Sequence, residues 1–214
     1  MSSDEQPFSD LESTLKKTAG ALREANVPFL LGGSLASWAR GGPESRHDLD
    51  LMIKHEDVER ALGALEAVGM RGETPPEEWL VKAWDGDVLV DLIFWPKGLP
   101  IDDDVIARGE EMSVLSMEMR VMAIEDVLIT KLMAIDEHHI RFESLLPIAR
   151  ALREQIDWEH VRSATGESPF ARSFFVLLEG LGVIAPQLAQ ERSPSREPRV
   201  RVVTGGSSGA ARPG

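Results

Sequence analysis

Two aspartates separated by a single residue, Asp48-Leu49-Asp50, stand in a stretch that otherwise reads as buried strand, Leu51-Met52-Ile53. Side chains alternate along a strand, so both carboxylates fall on one face, about 7 Å apart. Like charges at that spacing repel, and desolvating them without a partner is costly. Two arrangements resolve the conflict. The strand can lie half exposed with both acids in water, or the acids can hold a hard divalent cation, which takes oxygen ligands and keeps several waters. This stretch by itself leaves both open.

A second segment shifts the balance. In Asp87-Val-Leu-Val-Asp91-Leu-Ile-Phe-Trp95, Leu89, Ile93 and Trp95 share the face of Asp91, and Val88, Val90, Leu92 and Phe94 take the other. A strand apolar on both sides is normally central, so a lone aspartate in its middle needs a partner. Beside Asp48 and Asp50 it makes a third ligand for a one- or two-metal site, the kind that in-line phosphoryl or nucleotidyl displacement uses. Such a site requires the three carboxylates to converge. Gly32-Gly33-Ser34 suits the same chemistry. It falls between an apolar run and a helical turn, where glycine lets the backbone approach a bound group and helix-start N–H groups point outward. Ser34 can add a hydroxyl to a phosphate oxygen. A Gly-Gly pair alone is more often only a turn; the spaced acids that follow give it weight.

The positioning elements follow from periodicity and punctuation. A helix is predicted over residues 9–26, with Leu11, Leu15, Ala19 and Leu22 at helical spacing. Strand 29–31, helical turns 34–40, strand 48–54 and an amphipathic helix 56–68 come next. Strands 79–84 and 88–95 flank Asp85-Gly86, a hairpin signal. Asp102-Asp103-Asp104 could bind a metal, but a negatively charged start to a helix over 105–110 is the better reading. One further strand, 114–122, precedes three helices, 124–136, 142–155 and 170–181. The fold class is α+β: a mixed sheet with flanking helices over 1–122, then a helical C-terminal half over 123–186. Residues 187–214, rich in Arg, Ser, Gly and Pro, read as a disordered tail.

Other residues carry two readings each. Lys131 emerges from the apolar stripe Ile124, Val127, Leu128 and Ile135; it can snorkel to water or reach a phosphate. Arg46 can meet a phosphate and His47 can hydrogen-bond near the acids, but a loop role is as good for each, and Arg40 stands similarly. Asp136-Glu137-His138-His139 resembles a metal cluster, yet adjacent residues on a helix diverge, which favours a solvated helix end. Of Trp38, Trp79, Trp84, Trp95 and Trp158, most suit core or rim, and one could stack on a base without the sequence choosing which.

Composition bounds the partners. With no cysteine among 214 residues, disulfides and thiolate metal sites are excluded. A polar, acidic N-terminus is wrong for a signal peptide, and no apolar run approaches membrane-span length. A soluble cytoplasmic protein that does not engage the membrane is expected. The net charge of −13 argues against a general nucleic-acid coat and favours a small cationic acceptor over a polyanion.

The set Gly32-Gly33-Ser34, Asp48-x-Asp50 and Asp91 resembles the nucleotidyltransferase superfamily with the DNA polymerase β-like palm. "LLGGSLASWARGGPESRHDLDLMI", "VLVDLIFWP" and "EDVLITKLMAI" look most like small bacterial nucleotidyltransferase-like proteins related to AbiEii-type toxins and, more distantly, to aminoglycoside and lincosamide nucleotidyltransferases. The resemblance covers roughly residues 28–181. It implies Mg²⁺ (or Mn²⁺) held by Asp48, Asp50 and Asp91, with Asp91 alternatively the base on the attacking hydroxyl. Gly32, Gly33 and Ser34 would bind the triphosphate, with Arg46 and Lys131 as further nucleotide-binding residues. It also implies transfer of a nucleoside monophosphate from an NTP such as ATP to RNA (a tRNA end, for instance), a protein or a small molecule such as an aminoglycoside, and an antitoxin partner. An acid common after the lysine helix of the toxin-like relatives is replaced here by Arg141-Phe142-Glu143. The alternative is an inactive nucleotide- or partner-binding module of the same fold; hydrolytic use of the metal site is a third reading.

Overall fold

A computed structural model describes residues 5–44 and 48–186, with side chains from residue 9 onward. Seven strands form one mixed sheet: β1 (Phe29–Leu31), β2 (Leu49–Ile53), β3 (Arg71–Glu73), β4 (Leu80–Asp85), β5 (Val88–Ile93), β6 (Glu110–Val114) and β7 (Met117–Val121). Their spatial order is β3-β4-β5-β2-β1-β7-β6. Two pairings are parallel, β2 with β5 and β1 with β7; the others are antiparallel. β2 and β5, which carry Asp50 and Asp91, therefore sit at the centre, as the two-sided apolar pattern of β5 requires.

Helices α1 (Glu5–Glu24), α2 (Gly33–Ala39), α3 (Val58–Ala67) and α4 (Asp103–Arg108) interleave with the strands. After β7 the described chain is helical: α5 (Ile124–Met133), α6 (Leu145–Ala151), α7 (Trp158–Thr165) and α8 (Pro169–Gly180). The α+β class and the helical C-terminal stretch follow the expectation. One continuous apolar core joins them, from Leu11, Leu15, Ala19 and Leu22 of α1 to Phe174, Phe175 and Leu178 of α8. An ion pair also ties α4 to α5: the half-exposed Arg108 donates two hydrogen bonds, 3.1 and 3.2 Å, to the fully buried carboxylate of Asp126. No helix among the described residues is long and apolar enough to cross a membrane.

Three elements differ from the sequence reading. The single strand expected over 114–122 is the hairpin β6–β7. Its two turn residues, Leu115 and Ser116, both take positive φ (48° and 62°). Such a turn usually carries Asn-Gly or Asp-Gly, so Leu-Ser gave no signal. β3 is a short, polar Arg-Gly-Glu edge strand without apolar alternation. α7 is a further helix, outside the three expected; Asp157 caps it, accepting from the N–H groups of Glu159 and His160 at 3.1 Å each. The aspartate triplet acts as anticipated: Asp102 accepts from Val105 N at 2.9 Å and opens α4. The predicted tail, 187–214, lies outside the described residues, as do Arg46 and His47.

Candidate functional site

Register assembles the site. In the parallel β2–β5 pair, Asp50 lies directly opposite Asp91. In the antiparallel β4–β5 pair, Asp91 lies opposite Lys82. On the other side of β2, Gly32 N donates to Asp50 O at 2.8 Å, just beyond the end of β1. Paired residues share a face, so Lys82, Asp91, Asp50 and the Gly32-Gly33 turn form one row across four adjacent strands. Asp48 precedes β2, is exposed, and lies two residues from Asp50.

Gly33 is shaped by Asp50. It has φ +58°, a conformation that costs an L side chain energy. A Cβ there would fall 1.7 Å from Asp50 Oδ2 and 2.6 Å from its Cγ. The missing side chain thus allows the carboxylate to lie against the first residue of α2, where backbone N–H groups have no partner a turn behind them. Beside it, Lys131 Nζ donates to Ser34 Oγ at 3.3 Å, across 97 residues of sequence. Helix α5 buries Ile124, Val127 and Leu128, and Lys131 projects from the edge of that face into the site.

Electrostatics follow from this crowding. Burial pushes the Asp50 carboxyl up to about 6; Lys131 and Lys82 pull it down, while Asp91 and Asp48 push it higher. Burial also raises Asp91, against the opposing charge of Lys82. Lys82 Nζ is 3.5 Å from Asp91 Oδ1, an ion pair longer than a good hydrogen bond. That oxygen is buried and has no hydrogen-bond partner. Lys82 is the residue that sequence reasoning missed. Its signal was the same as that of Asp91: one charged residue inside an apolar strand, here Leu80-Val81-Lys82-Ala83.

Asp50 supplies a test of these electrostatics. Its folded-state pKa lies above the unfolded value of 3.8. The stability this contributes is fully present below pH 3.8 and is lost as pH rises through 6. Asp50→Asn should therefore stabilise the metal-free protein at pH 7 by on the order of 2 kcal/mol, or roughly 4–8 °C in Tm. Thermal unfolding in chelator at pH 7 and pH 5 checks this; the gap between variant and wild type should narrow at the lower pH.

Buried or partly buried carboxylates beside an unpartnered carboxylate oxygen suit a hard divalent cation in donor chemistry. Among the described residues, however, no three His, Cys, Asp or Glu side chains stand close enough together to hold one. The sheet brings Asp50 and Asp91 together; the convergence of all three aspartates is not present in this conformation.

The other candidates resolve into structural roles. The Arg40 guanidinium is buried, donating to the carbonyls of Met122 (3.1 Å) and Val121 (3.3 Å) and pairing with Glu110. Asp136 closes a turn beyond the end of α5, accepting from the N–H groups of His138 and His139 at 2.9 Å each, so these residues lie past the helix rather than at the end of one running to 136. Those backbone bonds hold its carboxyl below the usual range. Arg141 and Glu143 are exposed and lie outside the cleft described next. Trp84 donates to Glu73 at 3.0 Å and Trp158 donates to Arg153 O at 3.0 Å.

The row opens into a cleft of about 440 Å³ bordered by Gly33, Asp50, Lys131, Trp79 and Trp95 among others. This lies within the usual range for small-ligand sites. Gly33, Asp50 and Lys131 line one end; Asp91 and Ser34 are not among the lining residues but stand next to Asp50 and Lys131, with which they pair.

A search of curated protein sequences gives no significant match. Among solved structures, the solution structure of the antibiotic-resistance factor ANT(2'')-Ia aligns with a TM-score of 0.58 at 19% identity, over 82% of this chain and 98% of that one. The crystal structure of ANT(2'')-Ia with adenylyl-2''-tobramycin aligns with a TM-score of 0.56 at 19% identity, over 77% and 98%. The lincosamide antibiotic adenylyltransferase LnuA, with lincomycin bound, aligns more loosely: TM-score 0.46, 13% identity, 73% and 97% coverage. At these identities the likeness is one of fold. A family profile described as "Uncharacterised nucleotidyltransferase" matches residues 10–180, spanning every strand of the sheet and all of α2 to α8. The chain belongs to this nucleotidyltransferase family.

Proposed function

We propose that the protein transfers a nucleoside monophosphate from an NTP to an acceptor hydroxyl, releasing pyrophosphate. The observation that supports this best is the register-fixed opposition of Asp50 and Asp91 against Gly33. It places two carboxylates beside a turn that can receive phosphate oxygens. Gly33, Ser34 and Lys131 bind the triphosphate, through helix-start N–H groups, the Ser34 hydroxyl and the Lys131 ammonium; the Gly32 N–H is already given to Asp50 O and drops out of the expected set. Asp50 and Asp91, with Asp48, would hold Mg²⁺ or Mn²⁺. When bound, the ion neutralises triphosphate charge and polarises the α-phosphate. Asp91 accepts the proton of the acceptor hydroxyl. The acceptor oxygen forms its bond to the α-phosphorus as the bond to the bridging oxygen breaks, and pyrophosphate leaves. Lys82 holds Asp91 in place before the reaction.

A small cationic acceptor suits a chain with net charge −13 better than a polyanion does. The adenylylated tobramycin bound to ANT(2'')-Ia supports the same choice, and ATP as donor. A binding module without turnover is the second reading. It is favoured by one observation, that three acids are not gathered into a single group.

Incubation with α-labelled ATP, GTP, CTP or UTP and Mg²⁺, with aminoglycosides or total RNA as acceptors, distinguishes the two. The proposal predicts label on an acceptor with matching pyrophosphate, both lost in Asp50→Asn. Nucleotide binding with neither product under any condition would favour the module.

A further inference from the structure

Two large aromatic side chains in the cleft have no part in the chemistry above. Trp79 and Trp95 are 43% and 48% exposed, yet both border the same cavity as Gly33, Asp50 and Lys131. They are held, not loose. Trp79 O accepts from Phe94 N at 3.1 Å and from Trp95 N at 3.2 Å, which fastens the two tryptophan backbones together. The His55 ring stacks on Trp95 with centroids 4.1 Å apart and planes 12° from parallel. Phe94 meets the same indole edge-on at 5.5 Å. One face of Trp95 is thus covered by a near-parallel ring, and the indole still borders open cavity.

We propose that Trp95, backed by His55 and flanked by Trp79, is the platform on which the nucleobase of the NTP stacks. This rests on the reading of the cleft as an NTP site. On that reading the Gly33–Lys131 end receives the phosphates, while the Trp79–Trp95 end, where Ile93 and Pro96 continue the wall, is apolar. A nucleoside triphosphate has the same polarity, charged at one end and aromatic at the other. A polycationic acceptor fits this end less well. Lys97 stands beside the tryptophans, and the acid nearest the rim, Asp136, is already engaged by the His138 and His139 N–H groups. Stacking is tolerant of base identity because every base has a π-face, so Trp95 sets affinity more than base choice.

The test measures Kd by calorimetry, with Mg²⁺, for two probes: an α,β-methylene ATP analogue, and inorganic tripolyphosphate, which keeps the anion and lacks the base. Wild type, Trp95→Ala and Trp95→Phe are compared on the full chain, with Tm as the folding check. Trp95→Ala is expected to weaken the ATP analogue about tenfold, the scale of one base on one ring, and to leave tripolyphosphate within about twofold. Trp95→Phe should recover most of the loss. Unchanged ATP-analogue affinity, or an equal loss for both probes, overturns the platform; so does a rise confined to the KM of the acceptor. Absence of binding by either probe to wild type overturns the NTP site and the platform together. Trp95-dependent nucleotide binding without any transfer leaves the platform standing and the transferase reading refuted.

Discussion

Gly33→Ala is expected to slow transfer by on the order of 100-fold and to destabilise the fold, because one added carbon must occupy the space of the Asp50 carboxylate. The new Cβ would stand 1.7 Å from Asp50 Oδ2, far inside contact distance. Either Asp50 swings out of register with Asp91 or the start of α2 moves away from the sheet. A displacement of about 1 Å at a reacting centre can cost on the order of 100-fold in rate. The positive φ adds roughly 1–3 kcal/mol of backbone strain. Gly41→Ala is the matched control: its φ is +93°, and nothing lies within 4 Å of the added carbon. It should show strain without loss of activity. Denaturant melts of Gly33→Ala, Asp50→Ala and the double variant then isolate the clash. Gly33→Ala should cost measurably less stability once Asp50 has been shortened.

Asp91→Asn is expected to lower the transfer rate by about 10²–10⁴, the range for losing a positioned acid–base group. Nearly all of the change should appear in kcat, since the triphosphate contacts lie with Ser34 and Lys131. The fold should survive: Asn fills the same space in β5, and the burial that raises the Asp91 carboxyl no longer opposes a charge. A loss seen only in the KM for NTP would move Asp91 out of the reaction and into nucleotide binding. Initial rates at saturating and limiting NTP separate the two.

What was legible beforehand depended on how local each signal was. Asp91 stood out because charge inside a two-sided apolar strand is visible in nine residues. Its neighbour across β4–β5, Lys82, carried the same signal, but one lysine in a strand that also holds Trp84 and Asp85 is easily read as a solvated edge. Ser34 and Lys131 were each visible, yet their contact spans 97 residues and exists only once α5 lies beside α2. The clash that requires glycine at position 33 depends on where β2 places Asp50, which no dipeptide encodes. The β6–β7 hairpin was hidden by a Leu115-Ser116 turn, whose left-handed backbone is imposed by the strands it joins. Trp95 could not be told from Trp84 in sequence, because exposure inside a cleft is a property of the assembled fold.

The most direct measurement is a crystal structure with Mn²⁺ and a non-hydrolysable ATP analogue, using anomalous scattering to locate the ion. A manganese peak ligated by Asp50 and Asp91 is expected, with triphosphate oxygens within hydrogen-bond reach of Gly33 N, Ser34 Oγ and Lys131 Nζ. Triphosphate bound elsewhere, or manganese found only at exposed acids such as Asp103 and Asp104 with Lys82 still paired to Asp91, would contradict it.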